Sequence, residues 1–185
     1  MFTVWSFDFD APFGLADDLV LTDAAAAAMA GYDPAIDQPS LRCIAPGMPN
    51  AMLNPYPIQF IDEGDQIRLR IEEWDAERVI HIAVEDVPPD TALTQLGYSI
   101  GSFDGDSFEV YTSRLDSPFL DDSGVPMSAQ AQILEKFTLV PNEGALNYEV
   151  TVTDPVNLEE AATWRQSWRW APDAVVLPFR CVTER

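Results

Sequence analysis

Residues 56–85 alternate apolar and polar side chains with a period of two, the pattern of β-strands that bury one face. Glu63-Gly64 and Asp75-Ala76 interrupt the pattern with turn-forming residues, and they predict three antiparallel strands joined by two-residue turns. Because both turns sort the side chains onto the same two faces, they predict one apolar sheet face by independent routes. The predicted apolar pairs are Phe60 with Ile67, Ile58 with Leu69, Tyr56 with Ile71, Ile71 with Ile80, and Leu69 with Ile82.

The opposite face carries a candidate site formed by Gln59, Arg68, Arg70, Glu72 and His81, which is the only histidine in the chain. The predicted register places Arg70 directly opposite His81. Because a guanidinium disfavours the imidazolium form, a neutral His81 could act as a base while Arg70 holds an anionic group. The alternative is that this face is the solvated outside of a barrel, where Arg68, Arg70 and Glu72 are ordinary cross-strand charge neighbours.

Turn signals continue at strand-like spacing along the rest of the chain, with the strongest hairpin signal at Asp104-Gly105 and a four-residue loop at 141–144. Further strands are predicted at residues 5–9, 96–103, 106–113, 133–140, 146–154, 163–170 and 175–182. About nine or ten strands joined to their sequence neighbours close most economically into a barrel, which removes exposed sheet edges. We therefore predict an all-β fold, an antiparallel up-and-down meander closed into a lipocalin-like (calycin-like) β-barrel with one short N-terminal helix.

Glu135 is a second candidate because it falls on the apolar face of its predicted strand, opposite Val150. A carboxylate buried there needs a partner or has a raised pKa, and it could then act as a general acid or base. The alternatives are an ion pair, for example with Arg165 or Arg169, and an exposed position at a sheet margin. The candidate catalytic set is therefore His81, Arg70, Glu72 and Glu135.

Aromatic residues of the predicted strands form a candidate ligand-binding set: Trp164, Trp168, Trp170, Tyr98, Tyr111, Phe137 and Tyr148. In a barrel with internal space they would line a pocket for an apolar or aromatic molecule. In a filled barrel they would be the core itself.

The segment before residue 56 is predicted to pack on the barrel. Ala-rich residues 24–30 indicate a short helix that Thr22 or Asp23 caps and Gly31 ends. The Pro-rich residues that follow indicate a rigid arm without a domain boundary. We therefore predict a single β-barrel domain over residues 1–185, with residues 20–55 forming the helix and the arm.

The charge balance excludes some classes of partner. With 10 basic and 31 acidic residues the net charge is -21, whereas nucleic acids and anionic membrane surfaces attract cationic patches. We therefore expect no nucleic-acid binding. No apolar run is long enough to span a membrane, so we also expect no membrane insertion. One histidine and two distant cysteines do not make a zinc site, and the phosphate and dinucleotide fingerprints are missing, so no metal or cofactor is predicted.

Cys43 and Cys181 are too far apart for a redox or zinc motif, and their spacing leaves open a long-range disulfide or two buried thiols. Several motifs carry a resemblance: Cys43-Ile44-Ala45-Pro46-Gly47-Met48-Pro49, Asn54-Pro55-Tyr56-Pro57, Ser99-Ile100-Gly101-Ser102-Phe103-Asp104-Gly105-Asp106, Glu135-Lys136-Phe137 and the late Cys181. Over residues 20–182 the chain resembles a family of uncharacterised, usually exported bacterial proteins. The resemblance implies a periplasmic or secreted location and a bridge between Cys43 and Cys181, and it implies no activity.

Taken with the predicted barrel, the aromatic set favours binding of a small apolar or aromatic molecule in a barrel pocket. The alternatives are a cofactor-independent acid/base lyase or isomerase that uses the candidate catalytic set, and an envelope structural or interaction protein, which a large exposed apolar patch would favour.

Overall fold

The computed structural model describes residues 1–182, in which ten strands belong to one sheet. The strands are β1 Val4–Phe7, β2 Gly14–Leu15, β3 Ile58–Asp62, β4 Gln66–Ile71, β5 Ala76–Ile82, β6 Tyr98–Asp104, β7 Ser107–Ser113, β8 Gln132–Val140, β9 Ala145–Thr153 and β10 Ala162–Trp170. The α-helices are α1 Asp23–Ala30, α2 Pro34–Asp37 and α3 Asn50–Leu53, with 3-10 turns at Pro39–Arg42, Glu73–Asp75 and Pro141–Glu143.

The sheet closes on itself into a barrel. Its order is β1, then β3 to β10 in sequence, and β10 pairs back to β1 with Phe7 opposite Trp168. β2 continues the line of β1 along β10, where Leu15 lies opposite Trp164. This arrangement confirms the predicted all-β, lipocalin-like barrel and its number of strands.

One strand pair departs from the predicted antiparallel meander. β5 and β6 are parallel, with Ile80 opposite Ser99 and Ile82 opposite Gly101. Antiparallel neighbours alternate in direction, so a closed ring with an odd number of strands needs a parallel pair. The ring that β1 and β3 to β10 form in the described part of the chain has nine strands, and residues 83–97 run back along the barrel to make this pair. The prediction of antiparallel pairing throughout was therefore wrong at this point.

The first two turns are longer than predicted. β3 pairs with β4 so that Phe60 lies opposite Leu69, and a loop containing the Glu73–Asp75 turn joins β4 to β5 so that Ile71 lies opposite Ala76. Both registers differ from the prediction by an even number of residues, so the predicted faces are preserved.

The predicted opposition of Arg70 and His81 is wrong, because the longer second turn shifts their strands. Arg70 lies opposite Glu77 on one side and Gln59 on the other, whereas His81 lies opposite Gln66.

The later hairpins follow the predicted faces. β8 and β9 have the predicted register, with Phe137 opposite Tyr148 and Glu135 opposite Val150. β6 and β7 are shifted by two residues, which again keeps the faces. Residues 175–182 do not form the predicted strand, since β10 already has partners on both sides and offers no free edge.

The N-terminal segment packs against the barrel. Thr22 caps α1 as predicted, its Oγ1 accepting a hydrogen bond from the Ala25 amide at 3.3 Å. The Pro-rich arm contains the short turns α2, α3 and Pro39–Arg42, so it is more regular than predicted. Met48 and Met52 of the arm are buried in the core, and Gln166 Nε2 donates to the Met52 carbonyl. In residues 1–182 no helix has the length and apolar character needed to cross a membrane.

Several segments meet at one end of the barrel, which we call the arm end. The β4–β5 turn lies there, and because β6 runs parallel to β5, the start of β6 and the long β7–β8 loop lie at the same end. The arm covers this end. The C-terminal tail after β10 joins it through a disulfide between Cys43 and Cys181, which the resemblance had implied.

Candidate functional site

A cavity of about 250 Å³ lies at the arm end, and we call it the arm-end cavity. Its walls come from the arm, the β4–β5 turn, the β7–β8 loop and the C-terminal tail. The rings of Trp74, Phe119 and Phe179 line it together with apolar residues of the arm. Its polar lining includes Gln38, Asn50, Asn54, Glu73, Asp121 and Asp122.

Glu73 is the most buried acid of this cavity, with 9% of its surface exposed. Asn54 Nδ2 donates to its Oε2 at 2.8 Å. Burial raises the pKa of Glu73, and the nearby charge of Asp122 raises it further. The carboxyl is therefore held where ionisation is costly.

Asp122 is positioned by two amide side chains. Its Oδ1 accepts hydrogen bonds from Gln38 Nε2 and from Asn50 Nδ2, each at 2.8 Å. These bonds tie the β7–β8 loop to the arm across the cavity.

Trp74 reaches the cavity through an unusual backbone conformation. Its φ of 59° lies in the left-handed region, and so does the φ of 50° at Asp75. For a residue with a Cβ this conformation costs energy, and such residues cluster at functional sites. The turn thus presents an indole ring to the cavity at a local cost in backbone strain.

The C-terminal tail forms one wall of the cavity. The Phe179 ring packs on Trp74 with centroids 4.9 Å apart, and the Phe179 amide donates to Asp75 Oδ1 at 3.1 Å. Two residues later the disulfide links Cys181 to Cys43 of the arm, so it joins two walls of the same cavity.

Gly47 allows the arm to approach the neighbouring loops closely. A Cβ built at this position would lie 2.6 Å from the Gln95 carbonyl oxygen and 2.6 Å from Ser117 Cβ. The glycine of the Cys43–Pro49 motif therefore has a packing role at the cavity.

A second polar cluster lies inside the barrel. Arg78 and Glu135 form a bidentate ion pair, with Nη1 to Oε1 at 2.9 Å and Nη2 to Oε2 at 2.6 Å, and their side chains are 1% and 0% exposed. Ser99 and Thr112 accept further hydrogen bonds from Arg78 Nη2, and the Tyr148 hydroxyl donates to Glu135 Oε1 at 2.9 Å. We call this group the internal ion-pair cluster.

The surroundings of this cluster raise the pKa values of Arg78 and Tyr148. Burial would lower the pKa of Arg78, but the Glu135 carboxylate opposes this and keeps it raised. Burial, followed by Glu135, raises the pKa of Tyr148 well above its ordinary value, so the phenol stays a donor. Within residues 1–182, Arg78 Nε is the buried side-chain polar atom without a hydrogen-bond partner.

The structure places the four predicted catalytic residues in different surroundings. Glu135 is inside the barrel, whereas Arg70 lies on its outer face, 3.2 Å from Glu77. His81 stacks on Tyr98 with ring centroids 4.4 Å apart, and Glu72 at the arm end accepts a hydrogen bond from the Leu177 amide at 2.8 Å. Of the remaining polar face, Arg68 pairs with Glu63 at 2.7 Å and Gln59 accepts from Arg70 at 3.4 Å.

The predicted aromatic set is also divided. Trp164, Trp168, Phe137 and Tyr148 are buried among the core side chains of the barrel. Tyr98 lies on the outer face against His81. Tyr111 and Trp170 are exposed.

Sequence reasoning missed the residues that line the arm-end cavity and the partner of Glu135. Arg78 was detectable, because alternation along β5 places it on the same face as Ile80 and Ile82. The Cys43–Pro49 and Asn54–Pro57 motifs were a signal for the cavity, since Gly47 and Asn54 line it. The contribution of Trp74 depends on a turn conformation that the sequence pattern does not reveal.

In the part of the chain that the structure describes, no group of three or more His, Cys, Asp or Glu side chains is placed to hold a metal ion. The arm-end cavity instead offers aromatic rings, carboxylates and amides.

Comparisons with known proteins include a weak similarity to a solved structure. No protein-family model and no curated protein matches the chain, so the family resemblance stays a prediction. The crystal structure of a "secretary abundant heat soluble (SAHS) protein" from Ramazzottius varieornatus is similar with a TM-score of 0.36 and 11% sequence identity. The match covers 92% of this chain and 94% of that chain, and its score is too low to support a functional inference.

Proposed function

We propose that this protein binds a small molecule with an apolar or aromatic body in the arm-end cavity. The observation that carries the proposal is the combination of ring-lined walls with a buried, hydrogen-bonded carboxyl group in one cavity. Ligand sites are typically concave and mostly apolar, with a few positioned polar groups and perturbed pKa values.

The dimensions of the cavity limit the ligand. Its volume of about 250 Å³ is just below the range of roughly 300–1,000 Å³ that is typical of small-molecule sites. A ligand with one ring and a short polar chain fits this space better than a lipid does.

The proposed site differs in position from the barrel pocket that the aromatic pattern favoured. Trp168 and Tyr148 fill the barrel at their level, with 0% and 2% of their surfaces exposed. The cavity lies between the barrel and the segments that cover its arm end.

Two further observations support a binding protein of an oxidising compartment. The candidate catalytic residues lie in separate surroundings, which favours binding over acid/base catalysis by that set. Disulfides persist in secreted and periplasmic proteins, and the Cys43–Cys181 bridge supports such a location.

Binding can be tested by isothermal titration calorimetry with small aromatic compounds that are neutral, cationic or anionic. We expect at least one of these classes to bind, and Trp74→Ala to weaken its affinity by about tenfold, since aromatic contacts contribute up to about 1.5 kcal/mol beyond area burial. Phe9→Ala is the control, because Phe9 is 70% exposed and lies outside the cavity. The proposal fails if no class binds, or if Trp74→Ala binds as tightly as the wild type.

A further inference from the structure

We propose that the arm-end cavity selects an organic cation, namely a protonated amine carried on an aromatic or short alkyl body. This inference rests on the proposed function and names the chemical class of its ligand.

The charges around the cavity have one sign. Glu73, Asp121 and Asp122 line it, and its described lining includes neither Lys nor Arg. Some acids elsewhere in the chain pair with bases, as Glu63 does with Arg68 and Glu149 with Arg165. In a chain with a net charge of -21, such a cavity has a negative potential that attracts a cation and repels an anion.

The hydrogen-bonding groups of the cavity are complementary to an ammonium group. The amide NH2 groups of Gln38 and Asn50 donate to Asp122, and that of Asn54 donates to Glu73. These bonds turn amide donors toward the carboxylates. Each carboxylate has about four lone-pair positions, so acceptor capacity remains for an ammonium group, which has donors and no acceptor.

The apolar walls favour the same class of ligand. Aromatic faces attract cations electrostatically, and tryptophan does so most strongly. Trp74 and Glu73 are adjacent in the turn, and both line the cavity. Phe119 and Phe179 add apolar surface for the body of the ligand.

Three probes of nearly equal shape separate these contributions: phenethylammonium, phenethyl alcohol and hydrocinnamate. We expect phenethylammonium to bind about tenfold more tightly than the alcohol, because a cation–π contact in a desolvated site contributes roughly 1–2 kcal/mol. Hydrocinnamate should bind most weakly. Added salt should weaken binding of the ammonium probe and leave binding of the alcohol unchanged.

Variants locate the source of the preference. Glu73→Gln and Asp122→Asn should reduce the ratio between the ammonium and alcohol affinities while the alcohol still binds. Glu143→Gln is the matched control, since this exposed carboxylate lies in the β8–β9 turn, away from the cavity.

The outcomes distinguish the two proposals. If the alcohol binds as tightly as the ammonium probe and both lose affinity in Trp74→Ala, the cation inference is wrong and the proposed function stands. If the ammonium preference persists unchanged in both carboxylate variants, the cation inference is also wrong. If none of the three probes binds, the proposed function fails and the inference fails with it.

Discussion

Glu135 and Glu73 are two of the buried carboxylates of this barrel, and they are held in opposite ways. Glu135 sits in the internal ion-pair cluster, where Arg78 contacts both of its oxygens and Tyr148 donates to one of them. Glu73 lines a cavity, accepts from Asn54 and has acids rather than a cation around it. Burial raises the pKa of Glu73, and the charge of Asp122 adds to that effect.

Glu135 therefore has a structural role, whereas Glu73 is a candidate ligand-binding residue. A buried ion pair with well-aligned hydrogen bonds satisfies its own charges, and it offers little to a ligand. In contrast, a buried carboxyl group that faces a cavity and has no cation partner is stabilised when a cation binds beside it. Removing the carboxylate should therefore have different effects on stability and binding in the two regions.

The largest expected effect is on stability at the internal ion-pair cluster. Glu135→Leu leaves the Arg78 guanidinium buried without its partner, and we expect a loss of about 3–5 kcal/mol in the free energy of unfolding. Removing both charges in Arg78→Met/Glu135→Leu should restore most of that loss, because apolar replacements avoid the desolvation cost. Urea unfolding measures both variants. If the double variant is no more stable than Glu135→Leu, the loss of stability does not come from the unpaired charge of Arg78, and this explanation is wrong.

An intermediate effect is expected at the disulfide that joins the arm to the tail. Replacing both cysteines in Cys43→Ser/Cys181→Ser opens a loop with a sequence separation of 138 residues, and we expect about 2–4 kcal/mol of lost stability. Because Phe179 lies two residues before Cys181 and forms a wall of the arm-end cavity, phenethylammonium should also bind more weakly. Calorimetry of the folded double variant checks this, and unchanged affinity would show that the tail is not a necessary wall.

The smallest effect is expected at Glu73, and its sign is opposite. A carboxyl with a raised pKa favours the folded state below that pKa and loses this advantage as pH rises through it. Glu73→Gln imitates the protonated group, so its Tm should equal or exceed that of the wild type at neutral pH by less than about 4 °C, and the difference should vanish in acid. Thermal unfolding across pH measures this, and a large loss of Tm in Glu73→Gln at neutral pH would make Glu73 a structural residue.

Protonation of Glu73 should also change the affinity for the ammonium probe. As pH falls and Glu73 is protonated, the affinity for phenethylammonium should fall, whereas the affinity for phenethyl alcohol should not. The other titratable groups near Glu73 include Glu72 and Asp75 of the same turn, Asp121 and Asp122, which line the cavity, and Tyr56. The pKa of Tyr56 is raised by burial and by Glu73 and Glu72. Phenol ionisation at Tyr56 would occur at alkaline pH, so it does not overlap with this effect.

The alternation of apolar and polar residues predicted well which side chains face the core, because a sheet with one buried face tolerates only even shifts in register. This is why the β3–β4 and β4–β5 pairings moved while Ile58, Phe60 and Leu69 stayed in the core. The register itself depended on turn length, which the sequence left open, and the Arg70–His81 pairing failed with it. The closure that requires a parallel pair is a property of the whole ring, so no local pattern could predict it.

The candidate site was predicted poorly for a related reason. Glu135 was identified from the apolar face that it interrupts, and Arg78 interrupts the face of β5 in the same manner. Two opposite charges on inward faces indicate a buried pair, which is a signal that the sequence contains. The arm-end cavity, in contrast, is built from loops, and it depends on contacts such as Asn50 to Asp122, 72 residues apart.

The most direct test of the account is the map of amide chemical-shift changes when phenethylammonium is added to isotope-labelled protein. The account predicts that the changes concentrate at Glu73 and Trp74, in the arm around Asn54 and in the β7–β8 loop around Asp122. Changes concentrated on the inner strands around Tyr148 and Trp168, or no changes at saturating probe, would contradict binding at the arm end.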